Sequence, residues 1–437
     1  MMRKVDVLIV GAGPAGIAAA TAAAQHGRSV LLLDDNASAG GQIWRNGVAS
    51  LDHKRDSAKA TAIAALRSSG AEVLMGRRVI DAPQQGVLRA AIEGSSVSAV
   101  ETYAWNHLVI ATGARERFLP FPGWTLPGVF GAGGLQALVK GGFDVAGKRV
   151  VIAGTGPLLL AVAAHLKEYG ATVVCIAEQA PWQQLFSFAA SLWSRPAKLL
   201  EGAQYRIALA GVPYRTGCWS TAALGEDSLR SVRLSHGRRI WEEHCDLLAC
   251  GFHLVPNTEL PALLGCVFEG DFIRVDEQQR TSIENIFCVG EPTGIAGLNA
   301  ALLQGKIAGL TISGQTQQVA ALQGQRAAQR LFGERLDKAF RLRSELQSLA
   351  TPETIVCRCE DVRYDQLKGQ LSWTDAKLQT RCGMGPCQAR ICGPATQALF
   401  GWRATSVRPP IFPVSLNLLC NDDHSLSHEA IAPQEKL

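Results

Sequence analysis

No cysteine occurs before Cys175, yet five of the 12 fall within residues 357–392. Thiols clustered in this way suggest metal binding rather than a disulfide scaffold. The chain also has no Lys/Arg block. Its 43 basic residues are scattered and nearly balanced by 38 acidic ones, so nucleic-acid binding is not expected. No apolar run is long enough to cross a bilayer. The most apolar window, residues 150–166, is short and interrupted by Gly and Pro. The opening Met1-Met2-Arg3-Lys4 precedes an apolar run, but Gly11, Gly13 and Pro14 break it, which fits a first strand better than a signal peptide. A cytoplasmic location is expected. The nine histidines (26, 53, 107, 165, 236, 244, 253, 424, 428) form no acid–base motif, so no catalytic residue is assigned. What is present is an ordinary globular composition, 47% hydrophobic and 19% charged, over 437 residues. That length allows two or three domains.

The strongest local signal is residues 5–35. An apolar run, Val5 to Val10, is followed by Gly11-Ala12-Gly13-Pro14-Ala15-Gly16. An Ala-rich helix then runs to about Gln25, followed by a second apolar run, Val30 to Leu33, and Asp34. This is the dinucleotide-binding fingerprint in its strand–turn–helix–strand–acid context. Gly11 permits the tight turn, Gly13 admits a pyrophosphate, and Gly16 brings helix and strand together. Asp34 can accept hydrogen bonds from ribose hydroxyls. The helix N-terminus faces phosphate charge with free N–H groups.

Further along, Gly40-Gly41-Gln42-Ile43-Trp44 gives a small-residue passage suited to a second phosphate or a flavin edge. Residues 55–69 read as a helix, and Glu72–Val79 and Val87–Ile92 as strands. Leu108 to Ala114 reads as a buried strand ending in the turn Ala111-Thr112-Gly113. The Gly/Pro-rich stretch 115–149 reads as an interdomain crossover. A second βαβ unit follows: Val150–Ala153, Gly154-Thr155-Gly156-Pro157-Leu158-Leu159, a helix to Gly170, a strand to Ala177, and Glu178. Leu159 stands where a third glycine would be, which should hold helix and strand apart and shrink the phosphate site. Glu178 favours NAD over NADP. Both a working nicotinamide site and a repurposed pocket fit this pattern. The aromatics of residues 181–220, among them Trp182, Phe186, Trp193 and Trp219, suit a core or a subunit contact. Cys245 and Cys250 read as small core residues. Thr281 to Glu291 reads as a strand ending in Gly290-Glu291, followed by a helix from about Asn299.

These elements together resemble the flavoproteins with two dinucleotide-binding domains, such as thioredoxin reductase and glutathione reductase. The resemblance implies an α/β fold of two Rossmann-like domains, with FAD held by residues 1–115 and about 255–315. It places the flavin contacts on Gly11, Gly13, Pro14, Ala15, Gly16, Asp34 and Asp35. Further contacts fall on Gly41, Gln42, Val79, Ala111, Thr112, Gly113, Gly290, Glu291 and Asn299. The family usually has Asp at the position of Glu291. Gly154, Gly156 and Glu178 mark a second nucleotide pocket, for NAD or another adenine nucleotide. Disulfide reductases of this fold carry a cysteine pair beside the flavin. Gly41-Gln42-Ile43-Trp44 has none and Cys175 stands alone, so electrons must leave by another route.

After amphipathic residues 316–350 come Cys357-Arg358-Cys359-Glu360-Asp361-Val362 and Arg381-Cys382-Gly383-Met384-Gly385-Pro386-Cys387-Gln388-Ala389-Arg390-Ile391-Cys392. Thiolates suit iron–sulfur clusters and zinc alike, although Cys-x-Cys is uncommon in zinc ribbons. The segment resembles the small [2Fe–2S] domain of bacterioferritin-associated ferredoxin. That resemblance implies Cys357, Cys359, Cys387 and Cys392 as ligands, with Cys382 as the alternative and Cys420 incidental. The whole chain resembles the FAD-binding alpha subunits of heteromeric bacterial amine dehydrogenases: opine oxidase, D-hydroxyproline dehydrogenase, dye-linked proline dehydrogenase and hydrogen cyanide synthase. The resemblance implies an electron-relay subunit. Its expected partner is an FAD-containing amine-oxidising beta subunit, with a small ferredoxin-like subunit as a further candidate. An NAD(P)H-dependent reductase acting alone and a non-catalytic redox sensor are the alternatives. The expected division is 1–118 and 253–315 (FAD domain), 119–252 (inserted domain), 316–352 (connector), 353–410 (iron–sulfur domain) and 411–437 (tail).

Overall fold

The computed structural model describes residues 2–45, 56–92, 99–193, 195–404 and 407–420. Most of the expected tail, together with His53, His424, His428 and the side chain of Cys420, lies outside the described residues.

The first unit is built on β1 (Met2–Val10), α1 (Pro14–Gln25), β2 (Val30–Asp34), α2 (Asp56–Ser68) and β3 (Glu72–Met75). It continues with β4 (Arg77–Gln84), β5 (Val87–Ile92) and β6 (Ala99–Ile110). These strands lie in the order β3-β2-β1-β6-β5-β4. The β1, β2, β3 and β6 pairings are parallel, and β4 and β5 close the edge as an antiparallel hairpin. The apolar runs have no polar alternation because both faces of a parallel sheet are covered. One sequence expectation is corrected here. A single strand over Glu72–Val79 is in fact two strands, because Gly76 takes φ +70° and turns the chain.

The crossover carries β7 (Ala114–Glu116), β8 (Val129–Gly131) and α3 (Ala132–Lys140). Composition alone hid α3, whose first turn contains Gly133 and Gly134. The helix forms because the Glu116 carboxylate accepts from both of their N–H groups, at 2.6 and 2.9 Å. The inserted unit then comprises β9 (Arg149–Thr155), α4 (Leu158–Glu168), β10 (Thr172–Glu178), α5 (Trp182–Ser191), α6 (Pro196–Ala208) and β11 (Tyr214–Thr216). A meander, β12 (Trp219–Leu224), β13 (Ser231–Ser235) and β14 (Ile240–His244), leads to β15 (Leu247–Phe252). The parallel sheet runs β11-β10-β9-β15-β8. The chain returns through β16 (Leu254–Pro256), which pairs with β7.

Next come α7 (Glu259–Leu263), the small hairpin β17 (Phe268–Glu269) and β18 (Phe272–Ile273), β19 (Ile286–Cys288) and α8 (Leu298–Ile312). The expected strand over Thr281–Glu291 shortens to β19, because the Thr281 hydroxyl folds residues 281–286 into a turn. β19 adds to β6 and so completes the first sheet. α8 packs on α1 at backbone contact. A Cβ on Gly305 would lie 2.0 Å from the Ala15 carbonyl oxygen, and this close approach suits a helix with seven alanines among its 12 residues. The expected connector carries a 24-residue helix, α9 (Thr316–Ala339), and a short 3-10 helix at Ser344–Ser348. The C-terminal unit holds β20 (Ile355–Cys357), β21 (Val362–Arg363), α10 (Tyr364–Lys368), α11 (Trp373–Thr380) and α12 (Cys392–Phe400), followed by α13 (Leu416–Cys420). Its own small core contains Val356, Val362, Leu367, Ala376 and Ala395, with Cys357, Cys382 and Cys392 at its centre. Among the described residues no helix is long and apolar enough to cross a membrane.

Candidate functional site

The tips of β1, β2, β6 and β19 converge at the carboxyl edge of the first sheet, where Gly11 makes the turn into α1. Gly11 has φ +107°, and a Cβ there would sit 2.3 Å from the Ala111 carbonyl oxygen. A Cβ on Gly16 would sit 1.8 Å from the Gly11 carbonyl oxygen. The two glycines therefore hold strand, turn and helix at backbone contact. Gly13 faces Gly41 across the opening, so two loops without side chains form a cradle for a phosphate group. Asp34 is buried and fastens this cradle. Its Oδ2 accepts from Ala12 N at 2.6 Å and its Oδ1 accepts from Asn36 N at 2.8 Å.

A cavity of about 1970 Å³ opens from this turn. It exceeds the roughly 300–1,000 Å³ of an ordinary ligand site. It runs from Gly11, Gly13, Pro14, Asp34, Asp35, Gly41 and Gln42 past Val79, Ala111, Thr112, Gly113 and Glu291 to Gly156 on the inserted unit. Of the remaining sequence-derived residues, Ala15 and Gly16 pack α1 against the sheet, and Gly290 supports the wall through its N–H to Gln304 at 2.7 Å. Asn299 is exposed on the first turn of α8, and Leu298 and Ala301 line the cavity instead. Residues that the sequence motifs did not indicate also line it: Trp44, Arg78, Arg115, Asn257, His253, Arg390 and Phe412. Arg390 lies in a motif, that of the cysteines. Trp44 ends the small-residue passage 40–44, Arg78 and Arg115 lie on β4 and β7, and His253, Asn257 and Phe412 lie on segments without a local signature. The Asp35 carboxyl is raised above its ordinary value by burial and by the Asp34 charge. Glu291 is raised by burial. The His253 imidazole is lowered by burial, with Nε2 2.7 Å from the Phe340 carbonyl oxygen. Among the described residues no cysteine lines this cavity.

At the second glycine turn the structure departs from the sequence reading in two details. Leu159 is fully buried, and its Cδ2 lies 3.0 Å from where a Cβ on Gly251 would be. The space taken by the missing third glycine is thus returned by Gly251 on β15, and Leu159 packs into the core beside Gly156. Glu178 does not extend toward the cavity. It is fully buried, with Oε2 accepting from Gly156 N and Oε1 from Ala180 N, each at 2.8 Å. Burial raises its carboxyl from 4.5 to about 7. A raised carboxyl means that the native state binds a proton the unfolded chain has released. Stability should therefore fall as pH rises from 4.5 to about 7 and then level off, by on the order of 3 kcal/mol from this group. Glu178→Gln should flatten that part of the profile. Urea midpoints at pH 5 and pH 8 test this, and an unchanged wild-type-minus-variant difference would refute it.

Three of the C-terminal thiols, Cys357, Cys382 and Cys392, are buried with their sulfurs within 4.8 Å of one another. Cys387 is in hydrogen-bond contact with Cys392 and with the exposed Cys359. All five thiols thus share one contact network, in which Cys357, Cys392, Cys387 and Cys359 follow in series and Cys382 sits behind the first two. The glycines of this segment explain the closeness. A Cβ on Gly385 would lie 2.2 Å from Cys359 Cβ. Arg381, Gln388 and Ala389 take positive φ, bending the second loop around the first. The Cys357 thiol is pulled down to about 2 by hydrogen bonds from Cys382 and Cys392, and Cys387 to about 5 chiefly by one from Cys392. Cys382 is pushed up to about 12 by donating to Cys357. This all-sulfur donor set fits a soft or iron–sulfur centre. By contrast, Cys175, Cys218, Cys245, Cys250, Cys266 and Cys288 are buried core residues whose thiols burial pushes up.

The family model described as pyridine nucleotide-disulphide oxidoreductase matches residues 5–308. The A-subunit of opine oxidase from Agrobacterium tumefaciens (strain Ach5) is 31% identical, over 96% of this chain and 92% of that protein. The HcnB subunit of hydrogen cyanide synthase from Pseudomonas protegens is 30% identical, over 89% of this chain and 90% of that protein. Among solved structures, L-proline dehydrogenase from P. horikoshii aligns with a TM-score of 0.65 at 20% identity, over 96% of this chain and 80% of that one. T. acidophilum thioredoxin reductase aligns at 0.56 and 24%, over 72% of this chain and 99% of that one. These structural likenesses bear on the fold.

Proposed function

The chain belongs to the pyridine nucleotide-disulphide oxidoreductase family and is an FAD-dependent oxidoreductase, and from that premise we propose that it is the electron-relay flavoprotein subunit of a heteromeric dehydrogenase. One observation carries the reading. No cysteine borders the dinucleotide cavity among the described residues, while Arg390, which does line it, stands in sequence between Cys387 and Cys392 of a five-thiol group. A family member without a dithiol beside its flavin needs another outlet, and the thiol pocket is the one this chain offers. In this reading Cys357, Cys359, Cys387 and Cys392 hold a [2Fe–2S] centre. The partner is an FAD-containing subunit that oxidises a secondary amine or amino-acid derivative of the opine or proline class. A small ferredoxin-like subunit is a further candidate.

The residues would act as follows. The Gly11–Gly16 turn and Gly41 accept the pyrophosphate, and Asp34 keeps that turn closed. Thr112, Gly113 and Glu291 shape the wall around the ring. When bound, FAD supplies two-electron chemistry and the diiron centre single-electron chemistry. The end of the cavity at Gly156 suits an adenine nucleotide. Glu178 is spent on the backbone there, which weakens the case for an NADH-driven reductase acting alone.

Purification with and without the amine-oxidising subunit tests the proposal. The pair should reduce a dye with an opine or proline as donor, and the chain alone should not. Full amine oxidation by the isolated chain would overturn it, and rapid bleaching of its flavin by NADH would favour the stand-alone reductase.

A further inference from the structure

The cysteine loop and the dinucleotide cavity meet where Arg115 reaches Arg390. Arg115 lies on β7, directly after the turn that forms the cavity wall. Its Nη1 donates to Asn257 Oδ1 at 2.7 Å and pairs with Glu259 Oε1 at 2.8 Å. Its Nε donates to the carbonyl oxygen of Arg390 at 3.2 Å. Asn257 in turn donates from Nδ2 to the Thr112 carbonyl oxygen at 2.8 Å and accepts, through its own carbonyl, from the Thr112 hydroxyl at 2.7 Å. A continuous path of covalent and hydrogen bonds therefore joins Thr112 on the cavity wall to Arg390, which lies between Cys387 and Cys392. The Arg390 side chain returns to the same wall. Its guanidinium covers the Phe412 ring at 4.0 Å, and Nη2 donates to the Ile411 carbonyl oxygen at 2.5 Å.

We propose that Arg115 is a positioning residue that fixes the gap between the flavin ring and the thiol-held centre by clamping the Arg390 carbonyl against the cavity wall. The inference rests on the relay reading. The chemistry it serves is two one-electron steps. Anionic reduced flavin gives up two electrons and one proton in total, and the diiron centre accepts the electrons singly, passing each to an external one-electron acceptor. The rate of such a step falls exponentially with separation, so a small retreat of residues 387–392 matters more for rate than for stability. Other contacts dock the C-terminal unit as well. Trp124 Nε1 donates to the Ile355 carbonyl oxygen at 2.6 Å and Gln397 donates to Asp271 at 3.1 Å, so the unit stays attached without Arg115.

The test uses the full chain, with Arg115→Ala and Arg115→Lys beside wild type. Flavin, iron and acid-labile sulfide are assayed first. The flavin is then reduced by a light flash under anaerobic conditions, and the visible absorbance of the iron–sulfur centre is followed. Arg115→Ala should keep all three constituents and slow reduction of the centre about 10-fold or more. Arg115→Lys, which keeps a charge near Glu259 but not the fork, should be intermediate. A wild-type rate in Arg115→Ala overturns the inference. So does loss of iron from that variant, which would make Arg115 a support of the thiol pocket itself. Absence of iron and sulfide from wild-type protein would instead overturn the relay reading beneath it.

Discussion

Replacing Cys357 with serine should leave the C-terminal unit almost free of iron and sulfide. Cys357 is 1% exposed and touches both Cys382 and Cys392, so its sulfur is one corner of the buried triad. A serine hydroxyl is a harder, more basic ligand that stays protonated at neutral pH, and it holds iron less well than a thiolate does. Metal binding and folding are coupled in small sulfur-rich units, so the loss should be cooperative, with occupancy falling to about a tenth or less. The same assay distinguishes the two ligand sets. If Cys357, Cys359, Cys387 and Cys392 hold the centre, Cys359→Ser loses iron and Cys382→Ser retains it. If Cys382 is a ligand in place of Cys359, as the buried triad of Cys357, Cys382 and Cys392 suggests, the pattern reverses. Iron by plasma spectrometry, acid-labile sulfide and the paramagnetic signal after dithionite reduction read the result. Full iron in Cys357→Ser would remove the basis for any centre at this pocket.

Gly11→Ala should yield a protein without flavin. The new Cβ meets the Ala111 carbonyl oxygen at 2.3 Å, and the backbone is at φ +107°, where an L side chain is strained. The Ala111 carbonyl belongs to the next turn of the cradle, so relieving the clash opens the gap between β1 and β6 that positions the pyrophosphate. Conformational strain and overpacking together cost about 2–5 kcal/mol. Gly27→Ala is the matched control. Gly27 also has positive φ, but a Cβ there meets nothing within 4 Å, so that variant carries the conformational penalty alone and should keep its flavin. The 450 nm absorbance per chain and the melting temperature measure both. Flavin retained at wild-type level in Gly11→Ala would show that the cofactor lies elsewhere in the cavity.

The two glycine turns were legible because each is a local device: apolar strand, glycines, helix and acid lie within about thirty residues of one another. The buried strands and α1 followed from the same local signals. α3 was not legible, because its cap is Glu116, an acid from another element placed there by the crossover. Leu159 read as a defect in the second turn, since its compensation, Gly251, lies on β15 and no local window joins the two. Glu178 read as a ribose ligand because its position in the motif is that of one. Its side chain instead satisfies two backbone N–H groups of its own unit.

By itself, the sequence determined that this chain forms two dinucleotide-type units, that no thiol stands near Gly41-Gln42-Ile43-Trp44, and that sulfur is concentrated near the C-terminus. Each of these is a matter of residue type and near-neighbour spacing, to which backbone geometry responds directly. Only the tertiary structure decided that all five C-terminal thiols share one network, that Glu178 faces inward, and that Arg115 joins the cavity wall to the cysteine loop across 275 positions of sequence. Contacts of that range depend on how whole sheets and loops stack, and no single segment encodes them.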